Sequence, residues 1–252
     1  MLEISNVTRR FGSNTAIDGV SFNVENGRVQ GLIGPNGSGK TTMFNLISGF
    51  LKPNSGEVMF QGLKISGRDP STIAALGLVR TFQLTSIYAE MPAIKSLEIG
   101  QHLARRRGAR ASATSVVGPC ASAAAEREGI LSFMGLSDIA NVTARLLPGG
   151  TQRLLSIATA LAARPAMLLL DEPLAGLNPT EKAVAIERVA ALRDRGITIL
   201  LVEHDMKSVM RVCERLCVIN FGKKIAEGTP QEIREHPEVI KAYLGAPEDD
   251  HA

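Results

Sequence analysis

The chain has 252 residues, 44% hydrophobic and 21% charged, a globular balance with enough length for a large core and one or two domains. Its 28 basic side chains against 25 acidic ones, its lack of Trp and its 4% aromatic content give no basic, base-stacking surface, so nucleic acid is not an expected partner. No run approaches the ~20 apolar residues of a membrane helix, and Met1-Leu2-Glu3-Ile4 opens a strand pattern with no basic or apolar leader region. A cytoplasmic protein is expected, with any membrane association made through a partner.

In chain order, Val20, Phe22 and Val24 alternate with Ser21, Asn23 and Glu25 before the turn Asn26-Gly27, which predicts a half-buried strand. Val29 to Ile33 reads as a short buried strand, and Gly34-Pro35-Asn36-Gly37-Ser38-Gly39-Lys40-Thr41 follows it. This is the phosphate-binding P-loop pattern G-x-x-x-x-G-K-[ST]. Its glycines let backbone N–H groups close around phosphate oxygens. Lys40 supplies a cation for the β- and γ-phosphates, the Thr41 hydroxyl is placed to ligate Mg²⁺, and Thr42 continues the site. Lys40 to Ser48 is expected to be a helix with Met43, Phe44, Leu46 and Ile47 inward, so strand, loop and helix N-terminus together form an anion site. Val58 and Phe60 repeat the strand alternation between Gly56 and Gly62.

From about residue 85 to 160 strand signals fade. Leu97, Ile99 and Leu103, then Ile130, Leu131, Phe133 and Met134, fit helical faces, with Gly135 as a stop. Gly108 to Ala125, rich in Ala, Ser and Gly, is expected to be flexible or weakly helical, and Arg105, Arg106, Arg107 and Arg110 to be a solvated basic helix end, with contact to a membrane protein or acidic lipid as the alternative.

From Pro165 strands and helices alternate, which predicts a largely parallel sheet with helices on both faces. Met167 to Leu170 is an apolar strand ending in Asp171-Glu172. A carboxylate there holds the Mg²⁺ shell, the role assigned to Asp171, and Glu172 is free to polarise an attacking water. Helices are expected over Pro179 to Arg195, Asp205 to Arg215 and Gln231 to Leu244, and strands over Ile197 to Val202 and Leu216 to Asn220. An edge strand follows Gly222-Lys223-Lys224, and Glu248 to Asp250 falls in a disordered tail. The three cysteines, Cys120, Cys213 and Cys217, argue for reduced thiols; Cys213 and Cys217 read as packing residues one helical turn apart.

Further elements line up with these: Arg80-Thr81-Phe82-Gln83, Leu147-Pro148-Gly149-Gly150-Thr151, Leu174 to Pro179, and Leu201-Val202-Glu203-His204-Asp205. In this order and spacing the chain resembles the ATP-binding cassette (ABC) ATPases over essentially its whole length. "FGSNTAIDGVSF", "VRTFQ", "DEPLAGLNP", "LVEHDM" and "GKKIAEGTPQEI" resemble most closely the ATP-binding subunit of branched-chain amino acid importers. The resemblance implies a P-loop NTPase core with a mainly parallel sheet, an N-terminal antiparallel β subdomain and an inserted helical subdomain at about 85–160. It implies that Gln83 touches Mg²⁺ and the membrane partner, and that Phe11 stacks on adenine. It also implies that Gly149 and Gly150 meet the γ-phosphate of ATP held by a second cassette, and that His204 acts as the switch histidine. With Glu172 and Lys40, His204 and Gln83 form the expected catalytic set.

The implied partners are transmembrane permease subunits, a second cassette of the same or a related kind and, indirectly, a periplasmic substrate-binding protein. The implied place is the cytoplasmic face of the inner membrane. Pro148 and Thr151 depart from the family's L-S-G-G-Q, which predicts a weaker γ-phosphate contact. The alternatives are a soluble ABC ATPase acting on DNA or ribosomes, which a single cassette with no heptad run disfavours, and a catalytically weak regulatory cassette.

Overall fold

The computed structural model describes residues 1–81, 89–107 and 115–244. Two sheets organise it. The first joins β1 (Leu2–Phe11), β2 (Asn14–Val24), β4 (Ser55–Phe60) and β5 (Leu63–Lys64) in the antiparallel order β2-β1-β4-β5. The second joins β3 (Val29–Ile33), β6 (Leu78–Arg80), β7 (Met167–Asp171), β8 (Thr198–Val202), β9 (Arg215–Asn220) and β10 (Lys223–Gly228) in the order β10-β9-β3-β8-β7-β6. Its strands run parallel except for β10, which returns antiparallel on β9.

The central strands β7 and β8 carry the runs Met167–Leu170 and Ile199–Val202, apolar without a break because both faces are covered. The period-two alternation divides the parallel strands between two cores. Met167 and Leu169, Leu200 and Val202, and Cys217 and Ile219 join a cluster with the antiparallel sheet and Met43, Phe44, Leu46 and Ile47 of α1 (Lys40–Ile47). Leu168 and Leu170, Ile199 and Leu201, and Leu216 and Val218 face the opposite cluster. That second cluster is closed by α3 (Ala93–Arg107), α4 (Ala123–Met134), α5 (Gly149–Leu161), α6 (Pro179–Asp194), α7 (Met206–Val212) and α8 (Pro230–Glu235). A short α2 (Pro70–Leu76) places Ile73 in the first cluster, and α9 (Pro237–Leu244) ends the described chain. The faces of the parallel sheet are therefore unequal: helices fill one, and α1 with the antiparallel sheet fills the other.

Several expectations need correcting. The helix expected from Asp205 to Arg215 stops at Val212, because Cys213 is extended (φ −84°, ψ 139°) and leads into β9. Cys213 and Cys217 thus lie on different elements and in opposite cores, not one helical turn apart. Burial pushes the Cys213 thiol up to about 12, and that of Cys217 up as well, so both stay protonated. The single terminal helix is two, separated at His236 ahead of Pro237, a residue that restricts its predecessor to extended backbone. In α3 the buried face is Ala93, Ser96, Leu97, Gly100 and Gln101, while Ile99 and Leu103 are only partly buried. Within the stretch 108–125, Val116 is buried and α4 already begins at Ala123, capped by the Ser122 hydroxyl accepting from the Ala125 N–H. Gly135 does terminate α4, in the left-handed conformation at φ 72°. Gln83, Arg110 and the tail at 248–250 lie outside the described residues.

Candidate functional site

The site forms at the carboxyl ends of the parallel strands, where β3 runs into α1. Gly34 cannot carry a side chain: a Cβ there would lie 2.0 Å from the Ile219 carbonyl oxygen and 2.6 Å from Ser38 Oγ. Gly39 caps α1 at φ 109° without any side-chain cap, which leaves the first-turn N–H groups available to an anion. Ser38 Oγ is buried and has no hydrogen-bond partner among the described residues, an orphaned polar atom inside the loop. Lys40 is buried and its Nζ donates to the carbonyls of Gly34 (2.8 Å) and Pro35 (2.9 Å). Burial lowers its pKa, opposed by the charges of Glu172 and Asp171. A cleft of about 500 Å³ opens here, lined by Asn36 to Thr42, by Glu172, by Asn14, Thr15 and Ala16 of β2, and by Phe221 and Gly222. Asn36, Gly37 and Thr41 are exposed, and Pro35, Gly39 and Thr42 partly so.

Asp171 ends β7, and one of its oxygens is taken: Arg80 Nη2 donates to Asp171 Oδ2 at 2.7 Å. The same guanidinium donates through Nη1 to Asn45 Oδ1 (2.7 Å) and Ser48 Oγ (3.1 Å), which ties α1, β6 and β7 together. Glu172 follows with φ 46°, an uncommon backbone for a residue with a side chain. Its N–H donates to the Val202 carbonyl, and its carbonyl accepts from Arg153 Nη1 at 2.7 Å. The carboxylate faces His204, with Nδ1 4.0 Å from Glu172 Oε1. Glu203 beside it is 1% exposed and accepts N–H bonds from Leu174 (2.7 Å) and His204 (3.1 Å), which fixes the 173–178 loop to the end of β8. Burial raises the Glu203 pKa, and these N–H donors work against it.

The Leu147–Thr151 loop lies apart from the P-loop cleft. Pro148 caps α5 without a side-chain bond. Gly149 is open: a Cβ placed on it would meet nothing within 4 Å among the described residues. It borders a second cleft of about 340 Å³ with Thr81, Gln152, Arg153, Asp171, Pro173 and Gly176 among its walls. Gly150 is buried, and a Cβ there would lie 2.3 Å from Leu177 Cδ2. The second glycine thus serves close packing within its own chain. Asn178 caps α6 in a reciprocal box with Glu181.

Asn36 to Thr42 therefore share one cleft with Glu172, and Glu172 meets His204; Gly34 and Pro35 do not line it. Phe11, Gly149 and Gly150 are not in that cleft. Phe11 is 45% exposed at the end of β1, and the Arg9 guanidinium lies 4.7 Å from its ring centre. Arg80, Arg153 and Glu203 fall in or beside the motifs quoted from the sequence but were given no role there, and Phe221 was not named. Only Arg80 left a signal, an arginine directly after the apolar Leu78-Val79 of a buried strand.

An α/β fold with a glycine phosphate loop at a helix start, two acids at the end of another strand of the same sheet and a facing histidine defines a P-loop nucleotide hydrolase. The profile of the family described as "ABC transporter" matches residues 17–175, and that of the "Branched-chain amino acid ATP-binding cassette transporter" matches residues 223–249. The chain belongs to the ABC transporter ATP-binding family and is an ABC ATPase. It is 43% identical over 252 residues to the high-affinity branched-chain amino acid transport ATP-binding protein BraF of Pseudomonas aeruginosa, covering 97% of this chain and 98% of that one. It is 40% identical over 249 residues to the corresponding LivG of Escherichia coli K12, with 97% and 98% covered. Among solved structures, the ADP conformation of MJ1267, an ATP-binding cassette of an ABC transporter, superposes with a TM-score of 0.84 at 33% identity, covering 97% of this chain and 98% of that one.

Proposed function

We propose that this chain is the ATP-hydrolysing subunit of an importer for branched-chain amino acids. It would sit as one of two cassettes on transmembrane permease subunits at the cytoplasmic face of the inner membrane, served by a periplasmic substrate-binding protein. The whole chain acts as one ATP-binding unit, with about 85–160 as its helical part. The cargo reading rests on the C-terminal family match and on the names of the relatives. Among the described residues no helix is long and apolar enough to cross a membrane, so attachment would run through the permease.

The observation that carries the catalytic reading is the single cleft shared by the P-loop and Glu172, with His204 Nδ1 4.0 Å from the Glu172 carboxylate. ATP would place its phosphates on the N–H groups of the loop and α1, with Lys40 exchanging its carbonyl partners for phosphate oxygens. The orphaned Ser38 hydroxyl fits such an anion. For Mg²⁺ the donors are one exposed hydroxyl, Thr41, and one carboxylate, Asp171, with Gln83 as a further candidate. That sparse oxygen set suits an ion that keeps waters and phosphate oxygens in its shell, and when bound it neutralises developing charge on the phosphates. Glu172 would orient the attacking water, and His204 would hold it against the γ-phosphate. Gly149 and Gly150 would complete the site of a second cassette through the N-terminus of α5, and Phe11 would stack on adenine.

The test is reconstitution in proteoliposomes with the permease and binding protein encoded beside it. Leucine, isoleucine or valine should stimulate ATP hydrolysis and be taken up. Stimulation by an unrelated solute, with none by these three, would overturn the cargo reading.

A further inference from the structure

The turn between β9 and β10 carries a residue that neither the turn nor the core accounts for. Asn220 pairs with Lys223, and the two residues between them both have positive φ, 45° at Phe221 and 76° at Gly222. This is the two-residue hairpin turn that favours Asn-Gly, because both central positions lie in the left-handed region. Glycine fits the second position. A bulky aromatic at the first is a conformational outlier, and outliers of this kind gather at ligand sites. Phe221 is not there for packing either, since it is 86% exposed.

What the turn does is hold the Phe221 ring beside the phosphate loop. The Gly222 N–H donates to the Ser38 carbonyl at 2.9 Å, and the Gly222 carbonyl accepts the Asp18 N–H at 2.8 Å. A Cβ on Gly222 would lie 2.7 Å from the Ala16 carbonyl oxygen, so the turn is seated directly on β2 and the P-loop. Among the described residues Phe221 is the one aromatic lining the 500 Å³ cleft, whose other walls are small, polar or charged. A nucleotide brings a charged end, for which the P-loop provides, and an apolar base, for which the remaining lining offers no large surface. Phe11, proposed above to stack on adenine, lies outside this lining, so it leaves the cleft side of the base without an apolar contact.

We propose that Phe221 is a nucleotide-contact residue whose ring forms a second apolar wall for the base of the bound adenine nucleotide, beside Asn14–Ala16. This rests on the reading of the cleft as an ATP site. The turn gives up the residue that would suit its backbone and gains a base contact rigidly joined to the loop that binds the phosphates.

The experiment uses ADP, which has the same base and is not hydrolysed, and pyrophosphate, which has none. The chain contains no Trp, so Phe221→Trp creates a unique fluorophore. ADP should quench it and pyrophosphate should not. Phe221→Asn installs the residue the turn prefers, so its unfolding midpoint should equal or exceed that of the wild type. Its ADP affinity by calorimetry should fall about tenfold, the scale of losing an aromatic stack on a base, while pyrophosphate affinity is kept and Phe221→Tyr restores ADP binding. Wild-type ADP affinity in Phe221→Asn, or equal losses for ADP and pyrophosphate, would overturn the assignment alone. A wild-type chain that binds neither ligand would overturn the ATP-site reading and this assignment with it.

Discussion

Arg80→Met removes a guanidinium that three side chains share, and its cost follows from the geometry. Arg80 is 8% exposed at its side chain and Asp171 26%, with 2.7 Å between Nη2 and Oδ2. The same group also donates to Asn45 at 2.7 Å and Ser48 at 3.1 Å. Breaking a fully buried pair from one side costs about 3–5 kcal/mol, mostly through the stranded charge. Asp171 can regain some water, and Met can still pack on Phe44, although it loses the guanidinium that lies 5.6 Å from that ring's centre. A loss of about 3 kcal/mol is expected, a large part of the 5–15 kcal/mol that holds a domain together. The assay is urea unfolding of the nucleotide-free protein, extended to Asp171→Asn and the double variant. If the stranded Asp171 charge dominates, the double variant should recover at least about 1 kcal/mol relative to the sum of the singles. Strict additivity, or an Arg80→Met loss below about 0.5 kcal/mol, would show that the pair is not a structural tie between α1 and the carboxylate proposed to bind Mg²⁺.

Gly150→Ala should destabilise the isolated cassette by about 1–3 kcal/mol through overpacking on Leu177, while Gly149→Ala, which meets nothing within 4 Å among the described residues, should leave thermal stability unchanged; equal effects would contradict the division of roles. Glu126 is held below its usual range: burial opposes its ionisation most, but the Arg164 hydrogen bonds and charge, with Gln101 and Ser115, outweigh it. A depressed carboxylate pKa contributes stability above its unfolded value of about 4.3 and loses it as pH falls through the folded value. Arg164→Met should therefore cost about 2 kcal/mol near neutrality, reduced from the fully buried case because Arg164 is 41% exposed, and the gap to wild type should narrow below about pH 4. A pH-independent gap would contradict this. Pro148→Ser with Thr151→Gln should raise ATPase activity or tighten ATP-driven dimerisation, since a hydrogen bond to a charged group is worth about 1.5–3 kcal/mol; unchanged or lower values for both would show the natural loop already tuned.

The parts of this molecule that were legible in sequence are those whose residue types are set by short-range chemistry. Gly34 to Thr41 and Met167 to Glu172 each carry their reason within a few residues, and β3, α1 and β7 lie where the pattern placed them. Errors arose where a distant contact decided the outcome. Gly100 and Gln101 take the buried face of α3 because the backbone there approaches Thr159, where a Cβ on Gly100 would lie 2.1 Å from the carbonyl oxygen. Cys213 leaves the helical path to enter β9 beside β3, so the four-residue spacing to Cys217 misled. Arg80 and Asp171 are 91 residues apart and Glu203 and Leu174 are 29 apart, so no local window contains either tie. Phe221 was hidden for the opposite reason: its turn is short-range, but the loop it borders lies far back in the sequence.

The most direct test of the account is Glu172→Gln, which removes the carboxylate that borders the P-loop cleft and faces His204 but leaves the phosphate loop untouched. ATP affinity and steady-state turnover would be measured on the same preparation, with size-exclusion chromatography in the presence of ATP. Affinity should be retained, turnover should fall by about 10²–10⁴-fold, and a two-cassette species should accumulate. Wild-type turnover in this variant would mean that Glu172 does not activate the water and that the cleft hydrolyses ATP, if at all, by another group.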